Sequence, residues 1–229
     1  MAVFPPMAKA HIKVSRSTET PQKKFWIGSF AKGYVNRNFF NIKKLDAVYK
    51  KELGVTRTQT NTEFLKGIKK DARMLEVGAN VGVQLAHLAA MGFTNLYGIE
   101  LNPDVAARAR KNVPGANIIT GDALDIPFKD GYFDFVFTAD VLIHIAPGNI
   151  HQALSEICRV TNTYIWGFEY FEKKYTEIPY RGHRNVLWKA NFPALYKEVC
   201  PELRLVKHRL YPHRADPKKQ DVMFLFKKS

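Results

Sequence analysis

Cysteine is scarce in this chain. Cys158 and Cys200 stand far apart among 229 residues, with no CxxC spacing and no nearby Cys/His ligand pattern, so neither a disulfide framework nor a zinc site is expected. A metal is not expected either, and a reducing cytoplasm fits. No uninterrupted apolar run reaches the length of a membrane-spanning helix. The opening MAVFPPMAKAHIKVSRSTET lacks the apolar segment and cleavage site of a secretory signal. Acids are also in short supply, 21 against 35 bases, which makes anionic partners plausible. The imbalance sits at the ends: residues 1–24 carry five bases and one acid, and residues 170–229 carry fourteen bases and six acids, while the middle is nearly balanced. Residues 1–24 therefore read as a basic, flexible tail.

What is present is an apolar content of 46%, typical of a globular protein. NIKKLDAVYKKEL and NTEFLKGIKK read as amphipathic helices of a cap spanning residues 25–70. From residue 74 strand and helix alternate: MLEV, VGVQLAHLAAM, NLYGIE, PDVAARARKN, ANIIT, then FDFVFT, GNIHQALSEICRV and TYIWGF. Short apolar strands in βαβα order predict an α/β fold, a parallel sheet covered on both faces. A basic, aromatic insertion at 170–190 interrupts it, and a helix at FPALYKEV and strands at LRLVKHRL and DVMFLFK follow. One domain, 25–229, is expected.

The turn between the first strand and its helix, LEVGANVG, bares its backbone. Glycine admits both positive φ and close approach of a ligand, and asparagine tolerates left-handed backbone better than most residues. Gly78, Asn80 and Gly82 do not make the GxGxxG dinucleotide fingerprint, which places NAD behind other nucleosides. Three acids mark the ends of three successive strands: Glu76 before the turn, Glu100 at the tip of the second strand and Asp122 after the third. A carboxylate at the second tip is placed to accept both ribose hydroxyls of a nucleoside. At the exit of the fourth strand, in FTADVLIHI, stand Asp140 and His144. Histidine is the commonest general base near neutral pH, and an equal reading has His144 ordering the loop.

This ordered combination resembles the class I S-adenosylmethionine-dependent methyltransferases, Rossmann-like domains with a mostly parallel seven-stranded sheet. The resemblance implies S-adenosylmethionine as cofactor. Its methionine end would lie near Glu76, Gly78, Ala79, Asn80 and Gly82, its ribose on Glu100 beside Leu101, and its adenine at Asp122 and Ala123; Asp140 joins the cofactor set.

A narrower resemblance runs from about Phe25 through nearly all the rest of the chain. FWIGSFAKGYVNRN, LEVGANVG, VLIHI, and EIPYRGH followed by Trp188 and Lys189 are similar to the methyltransferases associated with pseudaminic acid biosynthesis. It implies a small anionic acceptor, a nonulosonate sugar or its nucleotide-activated form. Tyr34, Arg37, Tyr180, Arg181, Arg184, His213 and Arg214 would hold that acceptor, with His144 or His183 as base. Guanidinium groups suit carboxylate and phosphate. The family pattern departs at YPHRADPKKQD, where Pro212 precedes His213 and lysines replace acidic positions; this puts the acceptor's identity in question. The competing readings are a solvated basic face, an RNA or DNA methyltransferase using the basic termini, and a methyltransferase-like subunit of a nucleic-acid-containing assembly.

Overall fold

The computed structural model describes residues 19–28, 30, 33 and 41–229; Tyr34 and Arg37 lie outside them. Among the described residues, three fully described helices precede the sheet. The first, α1 (Pro21–Ile27), begins inside the stretch assigned to the tail: Thr20 caps it by accepting from the Lys23 N–H, and Pro21 stands at its first turn, where a missing N–H costs nothing. Next comes α2 (Ile42–Leu53), capped by Asn41 and ended by Gly54 at φ 80°. Then α3 (Arg57–Phe64) starts in a reciprocal capping box between Thr56 and Gln59.

The sheet's first half follows the expected alternation, with β1 (Met74–Val77), α4 (Val83–Ala90), β2 (Leu96–Glu100), α5 (Pro103–Asn112), β3 (Asn117–Thr120) and β4 (Phe133–Ala139). After a short 3-10 turn at Leu142–His144 come α6 (Ile150–Val160) and β5 (Thr161–Phe171). The insertion forms a small ribbon of its own, β6 (Thr176–Glu177) with β7 (Trp188–Lys189), and α7 (Phe192–Val199), β8 (Leu203–Pro212) and β9 (Gln220–Lys228) complete the order. Seven strands lie in the order β3-β2-β1-β4-β5-β9-β8. The first five run parallel, and β9 enters antiparallel between β5 and β8. Strand order reverses at β1, and that switch point opens a crevice at the carboxyl ends of β1 and β4.

Two apolar layers hold helices to the two faces. Phe135, Phe137 and Trp166 point toward α3, α4 and α5, whereas Val136 and Ile165 meet α6 and α7 through Ile157, Phe192 and Tyr196. Removing one such buried ring costs about 3–5 kcal/mol.

The expectation for the cysteines fails. Cys158 near the end of α6 and Cys200 just past α7 form a disulfide, both buried. The packing of α6 on α7 brings them together, and a single pair 42 residues apart carries no spacing signal of that contact.

Candidate active site

A cavity of about 440 Å³ opens at the switch point, lined by the β1–α4 turn, the tips of β2, β3 and β4, and the three leading helices. Gly78 carries φ 76°, and a Cβ there would meet Val141 Cγ2 at 2.6 Å, so the turn and the β4 exit approach as closely as backbone allows. Asn80 adopts φ 47°, as expected of an asparagine standing where glycine is common. The helix after this turn begins at Val83, two residues later than the sequence suggests. Ala79, Asn80, Glu100, Leu101, Asp122, Ala123 and Asp140 all face the cavity with Glu76 and Gly78. Gly82 stays behind the turn, packed on Val113 of α5's end.

Each acid has its own setting. Glu100 is braced by the backbone: Asn80 N–H donates to Oε2 and Asn102 N–H to Oε1, both at 2.9 Å. Burial nevertheless raises its pKa. Glu76 is 3% exposed, its Oε2 has no partner, and burial drives its pKa up strongly against the opposing pull of Arg57. Asp122 accepts the Leu124 N–H at 2.9 Å and forms an ion pair with Lys23 of α1. The same helix is tied to the tip of β2, where the Asn102 side chain donates to the Trp26 and Ile27 carbonyls, each at 3.2 Å.

Arg57, which the sequence reading missed, is, like Lys23, a buried cation of the site. Only 2% exposed, its guanidinium lies 4.6 Å from the Phe168 ring centre, donates through Nε to Gln84 at 3.0 Å and through Nη1 to Tyr49 at 3.2 Å, and leaves Nη2 buried without a partner. Basic residues at an amphipathic helix start read as solvated; the only sequence hint was the capping box that points α3 at the sheet.

On the other side, His144 Nδ1 lies 2.8 Å from the Val186 carbonyl. That carbonyl can only accept, so Nδ1 carries the hydrogen and Nε2 the lone pair. Burial pushes this histidine down to about 4, so the ring is neutral at physiological pH and a weak base. Trp26 covers it at 4.4 Å between centroids and Tyr180 stands 5.8 Å away. Glu169, also missed, is fully buried in β5. It accepts the Val141 N–H at 3.1 Å and so fixes the loop carrying His144, while burial raises it to about 8. A lone acid in the apolar run IWGFEYF was the signal.

The remaining candidates stand outside the cavity lining. Tyr180 and His183 close a tight turn by exchanging backbone hydrogen bonds of 2.9 Å, with Arg181 and Gly182 at positive φ. This tip rests on the aromatics of the cap, His183 lying 4.9 Å from Phe25 and 5.4 Å from Phe30. Arg181, His183 and Arg184 are exposed. His213 and Arg214 lie in the β8–β9 turn on the same end of the sheet, His213 bonded to Asp221 at 3.1 Å and Arg214 N–H donating to the Glu52 carbonyl of α2 at 2.7 Å. The two segments are thus on the crevice end but on separate supports.

Comparison with known proteins agrees with this geometry. Residues 75–163 match the methyltransferase domain family model. The uncharacterized methyltransferase sll0829 of Synechocystis is 32% identical over 93 residues, 41% of this chain and 43% of that protein. Norajmaline N-methyltransferase of Rauvolfia serpentina is 34% identical over 83 residues, 34% and 28% of the two chains. The chain spans less than half the length of these curated relatives. Among solved structures, magnesium protoporphyrin IX methyltransferase of Synechocystis with bound S-adenosylhomocysteine superposes with a TM-score of 0.66 at 14% identity, covering 90% of this chain and 98% of that one, a likeness of fold.

Proposed function

We propose that the chain transfers a methyl group from S-adenosylmethionine to a small anionic acceptor, a reading supported by the match of residues 75–163 to the methyltransferase domain family model. The observation that carries the donor half is a pair of orphaned buried atoms, Arg57 Nη2 and Glu76 Oε2, facing one cavity. A buried donor and a buried acceptor left unpaired are each costly, and a zwitterionic amino-acid end satisfies both at once: its carboxylate on Arg57, its ammonium toward Glu76. The Gly78–Asn80 backbone lies beside them, Glu100 is set for ribose hydroxyls, and Asp122 with Ala123 and Leu101 walls the adenine end. When bound, the cofactor supplies an electrophilic methyl on a sulfonium. The protein aligns the acceptor and keeps water out, the main contribution such a reaction requires. His144 offers Nε2 as a hydrogen-bond acceptor and orienting group beneath Trp26.

For the acceptor half, the tip carrying Tyr180, Arg181, His183 and Arg184 sits over His144, with its two guanidinium groups exposed to solvent. This supports an anionic acceptor reaching the cavity past them, with His213 and Arg214 on the same end of the sheet. A nonulosonate sugar of the pseudaminic acid type, or its nucleotide-activated form, has the matching carboxylate or phosphate. A cytoplasmic setting goes with sugar-nucleotide chemistry, and there the Cys158–Cys200 bond would be open to reduction. No helix among the described residues is long and apolar enough to cross a membrane.

The test is mass spectrometry of the activated and free sugar after incubation with the donor: a methylated product from either supports the acceptor class, and donor binding without a methylated product from either discards it. A nucleic-acid acceptor is the second reading, favoured by the exposed Lys173, Lys174, Arg181 and Arg184. It calls for RNA binding that falls steeply with salt.

A further inference from the structure

Asp140 is the residue of the cavity whose surroundings the binding of a cofactor explains least. It follows the last residue of β4 with φ 57°, a left-handed conformation that aspartate adopts at a cost unless its surroundings impose it. Here they do: its N–H donates to the Phe168 carbonyl at 2.9 Å. The side chain lines the cavity, and Oδ1 is buried with no partner. Further charged groups act on it from the neighbouring strands and helices. Asp221 of β9, 5% exposed, lies opposite Tyr170 in the β5–β9 register, and its Oδ1 meets His213 Nε2 at 3.1 Å, a side chain 24% exposed. The Asp221–His213 pair thus lies beyond β5 and close enough for its charges to act on Asp140.

We propose that Asp140 is the proton acceptor of the reaction, with Asp221 and His213 as residues whose charges tune it. This rests on the methyl-transfer reading above. In the step, the bond between the methyl carbon and the sulfonium breaks with its electrons remaining on sulfur, the bond between that carbon and the acceptor's oxygen or nitrogen forms, and the acceptor's O–H or N–H proton passes to the Asp140 carboxylate. Atoms and charge balance without a further reactant: the products are the methylated acceptor, a neutral thioether and a protonated Asp140.

The local charges fit that duty. Burial first, and then the Asp221 charge, raise Asp140 to about 7, against the pull of Arg57 and His213 and with a further push from Glu52. Facing it are Tyr49 and Glu52 of α2, Arg57 of α3, Glu169 of β5, Asp221 of β9 and His213 of the β8–β9 turn. Hydrogen bonding to Asp221 raises His213 above the usual histidine value. His144 at about 4 is poorly matched to the same task, since a general base works best with a pKa near the operating pH.

The test needs no acceptor. The full chain is titrated calorimetrically with S-adenosylmethionine and with S-adenosylhomocysteine near neutral pH, in phosphate and in Tris, whose ionisation enthalpies differ. A sulfonium placed against a half-protonated Asp140 expels a fraction of a proton on the order of one half, whereas the neutral thioether expels less. Asp140→Asn should abolish that difference while changing Kd for the thioether by less than about tenfold. Asp221→Asn, which removes a like charge, should shift the pH midpoint of proton release downward, and His213→Ala should shift it upward. Unchanged proton release in Asp140→Asn overturns the proposal. So does a loss of both ligands by about a hundredfold or more, which would make Asp140 a cofactor ligand alone. Should Asp140→Asn not fold, unmoved midpoints in both other variants overturn it equally. Failure of the unsubstituted chain to bind either ligand would instead defeat the methyl-transfer reading.

Discussion

Replacing Arg57 by methionine tests the proposed division of the cavity into an amino-acid end and a nucleoside end. The guanidinium makes two hydrogen bonds to neutral partners, Gln84 and Tyr49, lies against aromatic faces and pulls against the rise of the Glu76 pKa. Methionine keeps much of the stem's volume but leaves that acid without a counter-charge, and breaking a buried ionic contact costs about 3–5 kcal/mol of stability. Because Glu76 is strongly pushed toward its neutral form, the lower end of that range is expected. For binding, a charge-assisted bond to a carboxylate contributes about 1.5–3 kcal/mol, which at 1.4 kcal/mol per decade is roughly a ten- to hundredfold rise in Kd. The assay is calorimetry with two ligands, S-adenosylhomocysteine and 5′-methylthioadenosine, the second lacking the amino-acid end. The homocysteine compound should lose that affinity and methylthioadenosine should not. Equal losses for both, or none for either with the fold intact, would refute the assignment of the cavity's two ends.

Three other expectations are open to measurement. Lys23→Ala frees Asp122 from its ion pair, so S-adenosylhomocysteine should bind several-fold tighter, whereas Asp122→Ala should weaken it; opposite signs in a binding titration would remove Asp122 from the adenine site. Opening the 42-residue link between Cys158 and Cys200 releases chain entropy worth up to about 4 kcal/mol, so Cys158→Ser, or reductant, should lower the melting temperature measured by scanning calorimetry. Glu169 has a folded pKa of about 8, above that of an unfolded glutamate, so the native state holds its proton where the unfolded chain does not. Stability should therefore be full below the unfolded value and fall as pH rises toward 8. Glu169→Gln should flatten that fall in a melting-temperature series from pH 5 to 8; an unaltered slope would contradict the buried, protonated state.

Much of the sheet was legible because its grammar is local. MLEV, NLYGIE, ANIIT and FDFVFT are short apolar runs bounded by turns, and the structure places β1 to β4 on them. Glycines with asparagine in LEVGANVG announced the turn, and acids at strand ends announced Glu76, Glu100 and Asp122, all on the cavity. Features made by distant segments were not legible. PQKKFWI is too short to stand as a helix by periodicity, and α1 is held by Asp122 and Asn102 rather than by its own pattern. Arg57 and Glu169 are charges whose burial is decided by tertiary packing, and the Cys158–Cys200 contact depends on two helices meeting. The Tyr180–Arg184 tip was rightly read as basic and aromatic, yet only the ring contacts with Phe25, Phe30 and His144 tell which part of the cavity it overhangs.

The antiparallel entry of β9 between β5 and β8 has a consequence for biosynthesis. During translation β5 emerges with one apolar flank unclaimed, and its neighbour arrives only after α7 and β8 have been made. For that interval Ile165, Trp166 and Phe168 offer a sticky, ladder-ready border. A ribosome-stalled chain cut short before Gln220 should accordingly recruit chaperones that the finished protein ignores.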